Sequence, residues 1–165
     1  IIEKTPKEIA SSLCDQHVVK MPLEEAQMLC TTLWHHAPDY AEEHGLYKPV
    51  HQKHPCTLWA MECQLNYIWA FNLYSCMLTE YTKRYGKQHL TIQKLGDLLK
   101  HPPKNAHFNK IGTDATPAMP DECKIPGDVV GSYRKYYVMK KASFATWKSP
   151  SVVPQWWTEA LQNGL

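Results

Sequence analysis

TLWAMECQLNYIWAFNLYSCMLTEYTKRY, residues 57–85, is the longest stretch of the 165-residue sequence with an uninterrupted helical pattern of apolar side chains. Side chains three and four positions apart share one face of an α-helix, and the apolar residues here recur at that spacing. Lys83 and Arg84 fall in the last turn and Gly86 follows, a pattern typical of a helix end. We therefore predict a central core helix. Its predicted buried side carries Leu58, Leu65, Ile68, Trp69, Leu73, Cys76 and Met77.

Helical patterns also account for much of the remaining chain. Thr5, Pro6 and Glu8 form a helix start, with Thr5 as the N-cap and Glu8 as its partner in a capping box. This helix either kinks at Pro22 or is followed by a second helix that begins near Pro22 and reaches about Trp34. Further helices are predicted over about 91–100, 128–147 and 154–162, and long loops over 35–55 and 101–127.

The predicted fold class is all-α. No segment has the alternating pattern of a strand, and no internal repeat is present. Apolar residues make up 44% of the sequence and charged residues 21%, which indicates a folded globular protein and not a disordered chain. We predict one domain over residues 1–165, a bundle of four or five helices around the long central helix with two long loops. The 6–34 segment is expected to pack across the central helix.

Composition also bears on the cellular setting and on metals. No apolar run approaches the ~20 residues that span a bilayer, and the first residues lack the layout of a signal peptide, so we expect a cytoplasmic protein without a membrane partner. The six cysteines form no CxxC pair, and reduced thiols are expected. The spacing of Cys14, His17, His51, His54 and Cys56 matches no standard zinc motif, so neither a metal nor a cofactor is predicted.

The segment CDQHVVKMPLEEAQMLC, residues 14–30, places charged side chains within the pattern of a buried helix. His17, Lys20 and Glu24 stand at i, i+3 and i+7 and therefore project from one helix face. Burying such ions without water is costly unless they pair with each other or face a cleft. We predict that these three residues are catalytic and that His17 and Glu24 face a common cleft. The alternative is an ion-pair network on a core helix.

Residues 133–148 alternate five cations with five aromatic side chains. A surface of this kind can follow phosphates and stack on bases, whereas the net charge of +2 neither demands nor excludes a nucleic acid. The alternative is an amphipathic helix with its aromatic residues in the core and its lysines in water. The candidate substrate-binding residues in this segment are Tyr133, Arg134, Tyr136 and Trp147.

The segment TPAMPDECK, residues 116–124, is predicted to be a loop stiffened by its prolines. Asp121, Glu122 and Lys124 are its charged residues. A rigid, charged loop suits a substrate-contacting group, so we expect these residues to complete the cleft beside His17 and Glu24. The alternative is a solvated turn.

Three motifs resemble those of the small all-helical pyrimidine-dimer DNA glycosylases of phages, the endonuclease V type. Asp15-Gln16-His17 precedes Glu24 by the interval that separates the same run from the catalytic glutamate in that family. EYTKRYG, residues 80–86, resembles the end of the family's central helix, and the segment 133–147 resembles its C-terminal helix. CDQHVVKM and TPAMPDECK are also similar to segments of proteins from marine phages and environmental sequences, a likeness that brings no established activity.

The resemblance to the glycosylases implies a monomeric DNA base-excision glycosylase with AP-lyase activity on damaged or modified pyrimidines in double-stranded DNA. It implies that Glu24 is the catalytic carboxylate and that His17, next to Gln16, contacts a phosphate or positions the sugar. The implied nucleophile is the amine of Ile1, with Lys20 as the second choice if burial lowers its pKa.

The sequence also departs from that family. The arginines beside the catalytic glutamate of the glycosylases are replaced here by Leu23 and Glu25, so the resemblance does not extend to dimer specificity. One alternative is a different nucleotide- or DNA-modifying enzyme, with Asp121, Glu122 and Lys124 contributing to the same pocket. The other alternative is a DNA-binding or phage-assembly module without catalysis, in which the polar face of residues 14–30 is merely buried.

Overall fold

A computed structural model describes residues 1–108 and 111–164 of the chain. These ranges contain eight α-helices and no β-strand, so the prediction of a single all-α domain is confirmed, but its predicted four or five helices are too few. The helices are α1 (Pro6–Ser12), α2 (Asp15–His36), α3 (Pro38–Glu43), α4 (Pro55–Glu62), α5 (Gln64–Tyr85), α6 (Leu90–Leu95), α7 (Val129–Lys141) and α8 (Gln155–Gln162). In the described ranges, no helix is both long enough and apolar enough to span a lipid bilayer.

The first helix begins as predicted. Thr5 Oγ1 accepts a hydrogen bond from the Glu8 N–H at 3.3 Å, and Glu8 Oε2 accepts one from the Thr5 N–H at 3.1 Å. This capping box satisfies two N–H groups that the first helical turn leaves without partners. α1 nevertheless ends at Ser12, and Leu13 and Cys14 are extended before α2 begins.

The chain therefore breaks before α2, whereas Pro22 lies inside that helix. The prediction that a second helix begins near Pro22 is wrong. The N–H groups at the break are bonded by the C-terminal part of the chain: Cys14 donates to Tyr137 Oη at 2.9 Å, and Asp15 donates to the Thr146 carbonyl at 2.8 Å. Because these acceptors are remote in sequence, the local pattern of residues did not indicate the break.

The predicted central helix is divided at Cys63, which is extended with φ −155° and ψ 161°. Cys63 Sγ accepts a hydrogen bond from the Asn66 N–H at 3.3 Å and thereby caps the start of α5. Leu58 and Leu65, predicted to be buried, lie on either side of this division and are 49% and 55% exposed. The prediction of one uninterrupted helix is wrong, but its predicted end at Gly86, which has φ 66°, is confirmed.

α5 is the centre of the fold, because α1, α2 and α4 all pack against it. The predicted packing of the 6–34 segment across the central helix is thereby confirmed. One hydrophobic cluster includes Leu29, Leu33, Trp59, Tyr67, Tyr74 and Leu99. A second includes Ile2, Ile9, Val18, Met77, Tyr137 and Trp157. Both clusters draw side chains from α5, so this helix joins the two parts of the core.

The loops and the C-terminal helices differ from prediction in extent. α3 lies within the predicted 35–55 loop, and the predicted 91–100 helix is α6 followed by a 3₁₀ turn at Gly96–Leu99. α7 ends at Lys141, short of the predicted end at Trp147. α8 begins after Pro154 and ends at Gln162, in agreement with the prediction to within one residue.

A buried arginine connects α1, α2, α5 and the C-terminal segment. The Arg84 side chain is fully buried and donates to Glu80 Oε1 at 2.7 Å, to Asp15 Oδ1 at 3.1 Å and to the Ser11 carbonyl at 3.0 Å. Thr146 Oγ1 and the Lys148 N–H donate to Asp15, and Ser151 Oγ donates to Glu80. We call Asp15, Glu80 and Arg84 the Arg84 network. It fixes the start of α2, and with it the position of His17, against α5.

Candidate functional site

A cavity of about 420 Å³ lies beside the N-terminal half of α2. His17, Lys20 and Glu24 contribute to its wall from one continuous helix, as their spacing predicts. The prediction that His17 and Glu24 face a common cleft is confirmed, while their chemical roles stay predictions. Other parts of the wall include Ile1, Ile2, Glu25, His51, His54, Cys56, Trp59, Trp69, Leu73, Ala115, Thr116, Ala118, Tyr133, Tyr136 and Tyr137. We call this space the closed cavity to distinguish it from the more open groove beside it, although it meets water at Lys20 and Glu24.

An exposed ion pair joins Lys20 and Glu24 one helical turn apart. Lys20 Nζ lies 2.8 Å from Glu24 Oε1, and the two side chains are 67% and 31% exposed. Solvent-exposed pairs of this kind contribute only about 0.3–0.5 kcal/mol to helix stability. The pair therefore belongs to the part of the cavity wall that meets water, and it contributes little to holding the fold together.

Glu25, the next residue, lies on the buried side of the same wall and is 9% exposed. Within the described part of the chain, no group donates a hydrogen bond to its carboxyl and no cation forms an ion pair with it. Burial raises the pKa of Glu25 to about 7, the positive charge of the Ile1 amino group acts in the opposite direction, and the Glu24 carboxylate raises it further. A carboxyl group with this pKa can both donate and accept a proton near neutral pH.

Ile1 lines the same cavity, and in a protein that begins at this residue its amino group is buried there. Burial lowers its pKa to about 5, although a negative charge on Cys56 or Glu25, when either is ionised, acts to raise it. Between about pH 5 and pH 7, this amine is therefore mostly unprotonated while the Glu25 carboxyl keeps its proton. A free amine beside a proton donor is an arrangement suited to forming an imine with a carbonyl or a sugar carbon.

Tyr133 holds a loop against the closed cavity. Its Oη accepts a hydrogen bond from the Ala118 N–H at 3.2 Å, donates to the Thr116 carbonyl at 3.5 Å, and lies 3.8 Å from Cys56 Sγ. Burial raises the pKa of both Tyr133 and Cys56, so both side chains are protonated at neutral pH. The predicted substrate-binding residue Tyr133 therefore reaches the cavity, and it also positions one of the cavity walls.

His17 is a neutral side chain in this site. Its ring packs edge to face against Tyr137 and Phe144, with ring centroids 5.0 Å and 5.7 Å away. Burial lowers the pKa of His17 to about 4, and the positive charges of Lys141 and Lys20 lower it further. At neutral pH the imidazole can form hydrogen bonds but does not supply a positive charge for a phosphate.

A second, open groove of about 600 Å³ adjoins the closed cavity. The two spaces share His17, Lys20 and Lys141. The other groove residues are Asp15, Gln16, Val19, Tyr85 and Phe144. Gln16, predicted to contact substrate, therefore lies in the open groove and not in the closed cavity. A ligand in the open groove can therefore contact residues that also line the closed cavity.

The charged part of the 116–124 loop does not reach the closed cavity. Lys124 Nζ lies 2.7 Å from Asp121 Oδ1, and Glu122 pairs with Lys140 of α7 at 3.2 Å, with all four side chains exposed. The prediction that these residues complete the cleft is wrong, because their charges find partners in water without the cost of burial. The loop instead lines the cavity with its uncharged residues Thr116 and Ala118, next to Ala115.

Two other predicted substrate-binding residues hold the N-terminal region in place. Arg134 donates to Glu3 Oε2 at 2.6 Å and to the Ile2 carbonyl at 2.9 Å. Trp147 Nε1 donates to the Ser12 carbonyl at 3.1 Å. Neither side chain lines the closed cavity, so their predicted contact with substrate has no support from their positions.

Glu25 is the functional candidate that the helical spacing failed to select. It lies about 100° around the helix from Glu24 and therefore outside the predicted polar face. A sequence signal does exist, because Glu25 follows the buried Val18 by seven positions and precedes the buried Leu29 by four. A carboxylate within an apolar stripe indicates a buried charge, and buried charges without partners mark functional sites.

The described ranges contain no group of three or more His, Cys, Asp or Glu side chains placed to hold a metal ion, and all six cysteines are free. Comparisons with protein-family models, with curated proteins and with solved structures find no match. The function is therefore inferred from the geometry and chemistry of the closed cavity.

Proposed function

We propose that the closed cavity is the active site of a DNA base-excision glycosylase with AP-lyase activity, acting on damaged or modified pyrimidines in double-stranded DNA. The observation that carries this proposal is a cavity that holds the buried Glu25 carboxyl, with a pKa of about 7, together with a candidate amine: Lys20 or, in a protein that begins at Ile1, the Ile1 amino group with a pKa of about 5. Amine nucleophiles of this kind form covalent intermediates with sugars, and a carboxyl group supplies and removes the protons.

The first step replaces the base by the protein. The damaged nucleotide leaves the base stack, and the amine nitrogen attacks C1′ of its deoxyribose while the bond between C1′ and the base breaks. The departing base takes the proton that Glu25 donates. Opening of the sugar ring then moves one proton from the amine nitrogen to O4′ as the bond between C1′ and O4′ breaks, which leaves a protonated imine at C1′.

The second step cleaves the DNA strand. The Glu25 carboxylate removes a proton from C2′, the bond between C3′ and its oxygen breaks, and the 3′ phosphate leaves with the bonding electron pair. Water then hydrolyses the imine and restores the free amine. Glu25 thus donates one proton and later accepts one, which requires a pKa near the working pH.

Glu24 and His17 have supporting roles in this proposal. The Glu24 carboxylate lines the cavity and places negative charge beside the sugar, where positive charge develops in the transition state. His17 is neutral and offers a hydrogen bond to the sugar or to a phosphate oxygen. Lys20 lines the cavity as well, and it is the second amine that could attack C1′.

Borohydride trapping on an oligonucleotide with an abasic site tests the proposal. The protein is released from a cleavable fusion so that Ile1 is its first residue, and the adduct is mapped by peptide mass spectrometry. We expect a covalent adduct on the Ile1 amine. The trapping rate should be highest between about pH 5 and pH 7, because the amine is protonated below this range and Glu25 loses its proton above it.

Two controls identify the amine. Acetylation of the Ile1 amine blocks the first nucleophile, and Lys20→Gln removes the second. An adduct on either residue supports the lyase and names its nucleophile. The absence of any adduct from unblocked protein overturns the proposal, as does an adduct that survives both changes. Those results would favour a different nucleotide- or DNA-modifying enzyme, or a DNA-binding or phage-assembly module without catalysis.

A further inference from the structure

Two lysines without acidic partners lie at the open groove. Lys141 lines the groove, and its Nζ lies 4.8 Å from the Tyr136 ring and 6.0 Å from the Phe144 ring. Lys148 Nζ lies 5.4 Å from the ring of Tyr85, which is another wall of the groove. Neither lysine forms a salt bridge with any residue that the structure describes. Both ammonium groups are therefore held over aromatic rings while their charge stays available.

The other cations close to these two are already neutralised. Lys140, the neighbour of Lys141, pairs with Glu122 at 3.2 Å, and Lys20 pairs with Glu24 at 2.8 Å. Of the lysines beside the groove, Lys141 and Lys148 therefore keep a charge that no described carboxylate pairs with.

The carboxylate in the groove does not cancel this charge. Asp15 lines the groove, but its Oδ1 accepts from Arg84 at 3.1 Å and its Oδ2 accepts from Thr146 Oγ1 at 3.0 Å. Asp15 shares the fully buried Arg84 with Glu80, and Lys83 lies 3.6 Å from Glu80, so two cations offset the two carboxylates. An anion that enters the groove meets Lys141 and Lys148 without an opposing free carboxylate from Asp15.

We propose that the open groove binds the phosphodiester backbone of one DNA strand, with Lys141 and Lys148 each contacting a phosphate. This inference rests on the proposed function and names the part of the substrate that the groove holds. Two separate cations suit a chain of phosphates better than a single phosphate ion, and Tyr85 and Phe144 supply flat faces for a sugar or a base. The strand passes His17, which is shared with the closed cavity, and a nucleotide extruded there enters the closed cavity directly.

The test is the salt dependence of binding to an undamaged, fluorescently labelled DNA duplex, measured by anisotropy over a range of NaCl concentrations. The variants Lys141→Gln and Lys148→Gln remove the charge and keep most of the side-chain stem. Each should weaken binding and reduce the slope of log K against log [NaCl] by about 0.9, and the double variant by about 1.8. A slope that is unchanged in either single variant overturns the proposal for that lysine.

Lys48→Gln is the matched control. Lys48 Nζ also lies over an aromatic ring, 4.4 Å from that of Trp34, and likewise has no salt bridge with a described residue. Trp34 stands fourteen positions after Lys20 on α2, which is about 21 Å along the helix axis. The control should keep the wild-type slope. An equal loss of slope in Lys48→Gln would show that general surface charge governs binding, and it would overturn the assignment to the groove.

Two further measurements identify the ligand and separate this inference from the proposed function. An RNA duplex of the same sequence should bind more weakly than DNA, and tighter RNA binding with the same loss of slope would overturn the assignment to DNA. Binding to undamaged DNA does not require the lyase step. If no adduct is trapped but the lysine variants still reduce the slope of log K against log [NaCl], only the proposed function is contradicted. If an adduct is trapped but these slopes are unchanged, only the assignment of DNA binding to the groove is contradicted.

Discussion

The Arg84 network and the closed cavity both bury carboxyl groups against α2, but only the network provides them with partners. Asp15 and Glu80 accept hydrogen bonds from the fully buried Arg84 at 3.1 Å and 2.7 Å. Glu25 has no such donor among the described residues, and burial raises its pKa to about 7. α2 therefore carries a partly buried acid that is paired, Asp15, and a buried acid that is not, Glu25, ten residues apart in sequence.

This difference separates a structural site from a functional one. A buried ion that is paired and hydrogen-bonded fixes the geometry around it, and removal of its partner is strongly destabilising. A buried carboxyl without a partner costs free energy of folding, and such a cost is typical of residues that carry chemistry. Three substitutions test the distinction, in order of decreasing effect on the free energy of unfolding.

Replacement of Arg84 by Met should have the largest effect. The substitution removes the cation that the buried Glu80 and the partly buried Asp15 share, and it leaves only the exposed Lys83 near Glu80. We expect the free energy of unfolding to fall by about 3–5 kcal/mol, measured by urea denaturation. The control is Lys83→Met, because Lys83 lies 3.6 Å from the same Glu80 but is 51% exposed. The control should lose about 0.5 kcal/mol or less, and a loss of that size for Arg84→Met would contradict a structural role for the network.

Replacement of Glu25 by Gln should stabilise the protein, and more so at higher pH. Burial raises the pKa of Glu25 from its ordinary value of 4.5 to about 7 in the folded protein. The folded state therefore holds this proton more tightly than the unfolded state. The contribution of the protonated carboxyl to the free energy of unfolding is at its full value below about pH 4.5. It declines as pH rises and is lost above about pH 7.

The glutamine side chain cannot ionise, so the Glu25→Gln variant avoids this loss. Relative to the wild type, it should gain about 3 kcal/mol at pH 8 and close to nothing at pH 4, measured by urea denaturation at both pH values. The same variant should form the borohydride-trapped adduct more slowly than the wild type, because it has no proton to donate or accept at this position. A variant that is less stable than the wild type at pH 8 would indicate that Glu25 has a partner that holds it ionised.

Local sequence patterns sufficed for the features whose partners are close in sequence. The capping box of Thr5 and Glu8, the end of α5 at Gly86 and the shared face of His17 and Glu24 all depend on residues within eight positions of each other, and all are found. The all-α fold follows from the same short-range periodicity.

The features that were missed depend on contacts between remote parts of the chain. The break before Asp15 is stabilised by Tyr137 and Thr146, which bond the N–H groups that a continuous helix would have bonded itself. The burial of Glu25 depends on walls from α4, α7 and the 115–118 loop, none of which the pattern of α2 specifies. Helical periodicity gives the direction of a side chain, but only the packed fold determines whether that direction meets water.

Replacement of Glu24 by Gln should have the smallest effect on stability and a large effect on the proposed activity. Glu24 is paired with Lys20 at 2.8 Å, but the lysine is 67% exposed, so loss of the pair should cost about 0.5 kcal/mol or less in urea denaturation. If the carboxylate stabilises positive charge on the sugar, single-turnover cleavage of an abasic-site duplex should slow by about 100-fold or more while binding, measured by anisotropy, is retained.

The control is Glu122→Gln, which removes a similar exposed pair with Lys140 outside the closed cavity and should change neither the free energy of unfolding nor the cleavage rate. Slower cleavage in Glu24→Gln but not in Glu122→Gln would assign a catalytic role to Glu24. Equal cleavage rates in the two variants would contradict that role and leave Glu25 as the carboxyl group of the cavity that acts on the substrate.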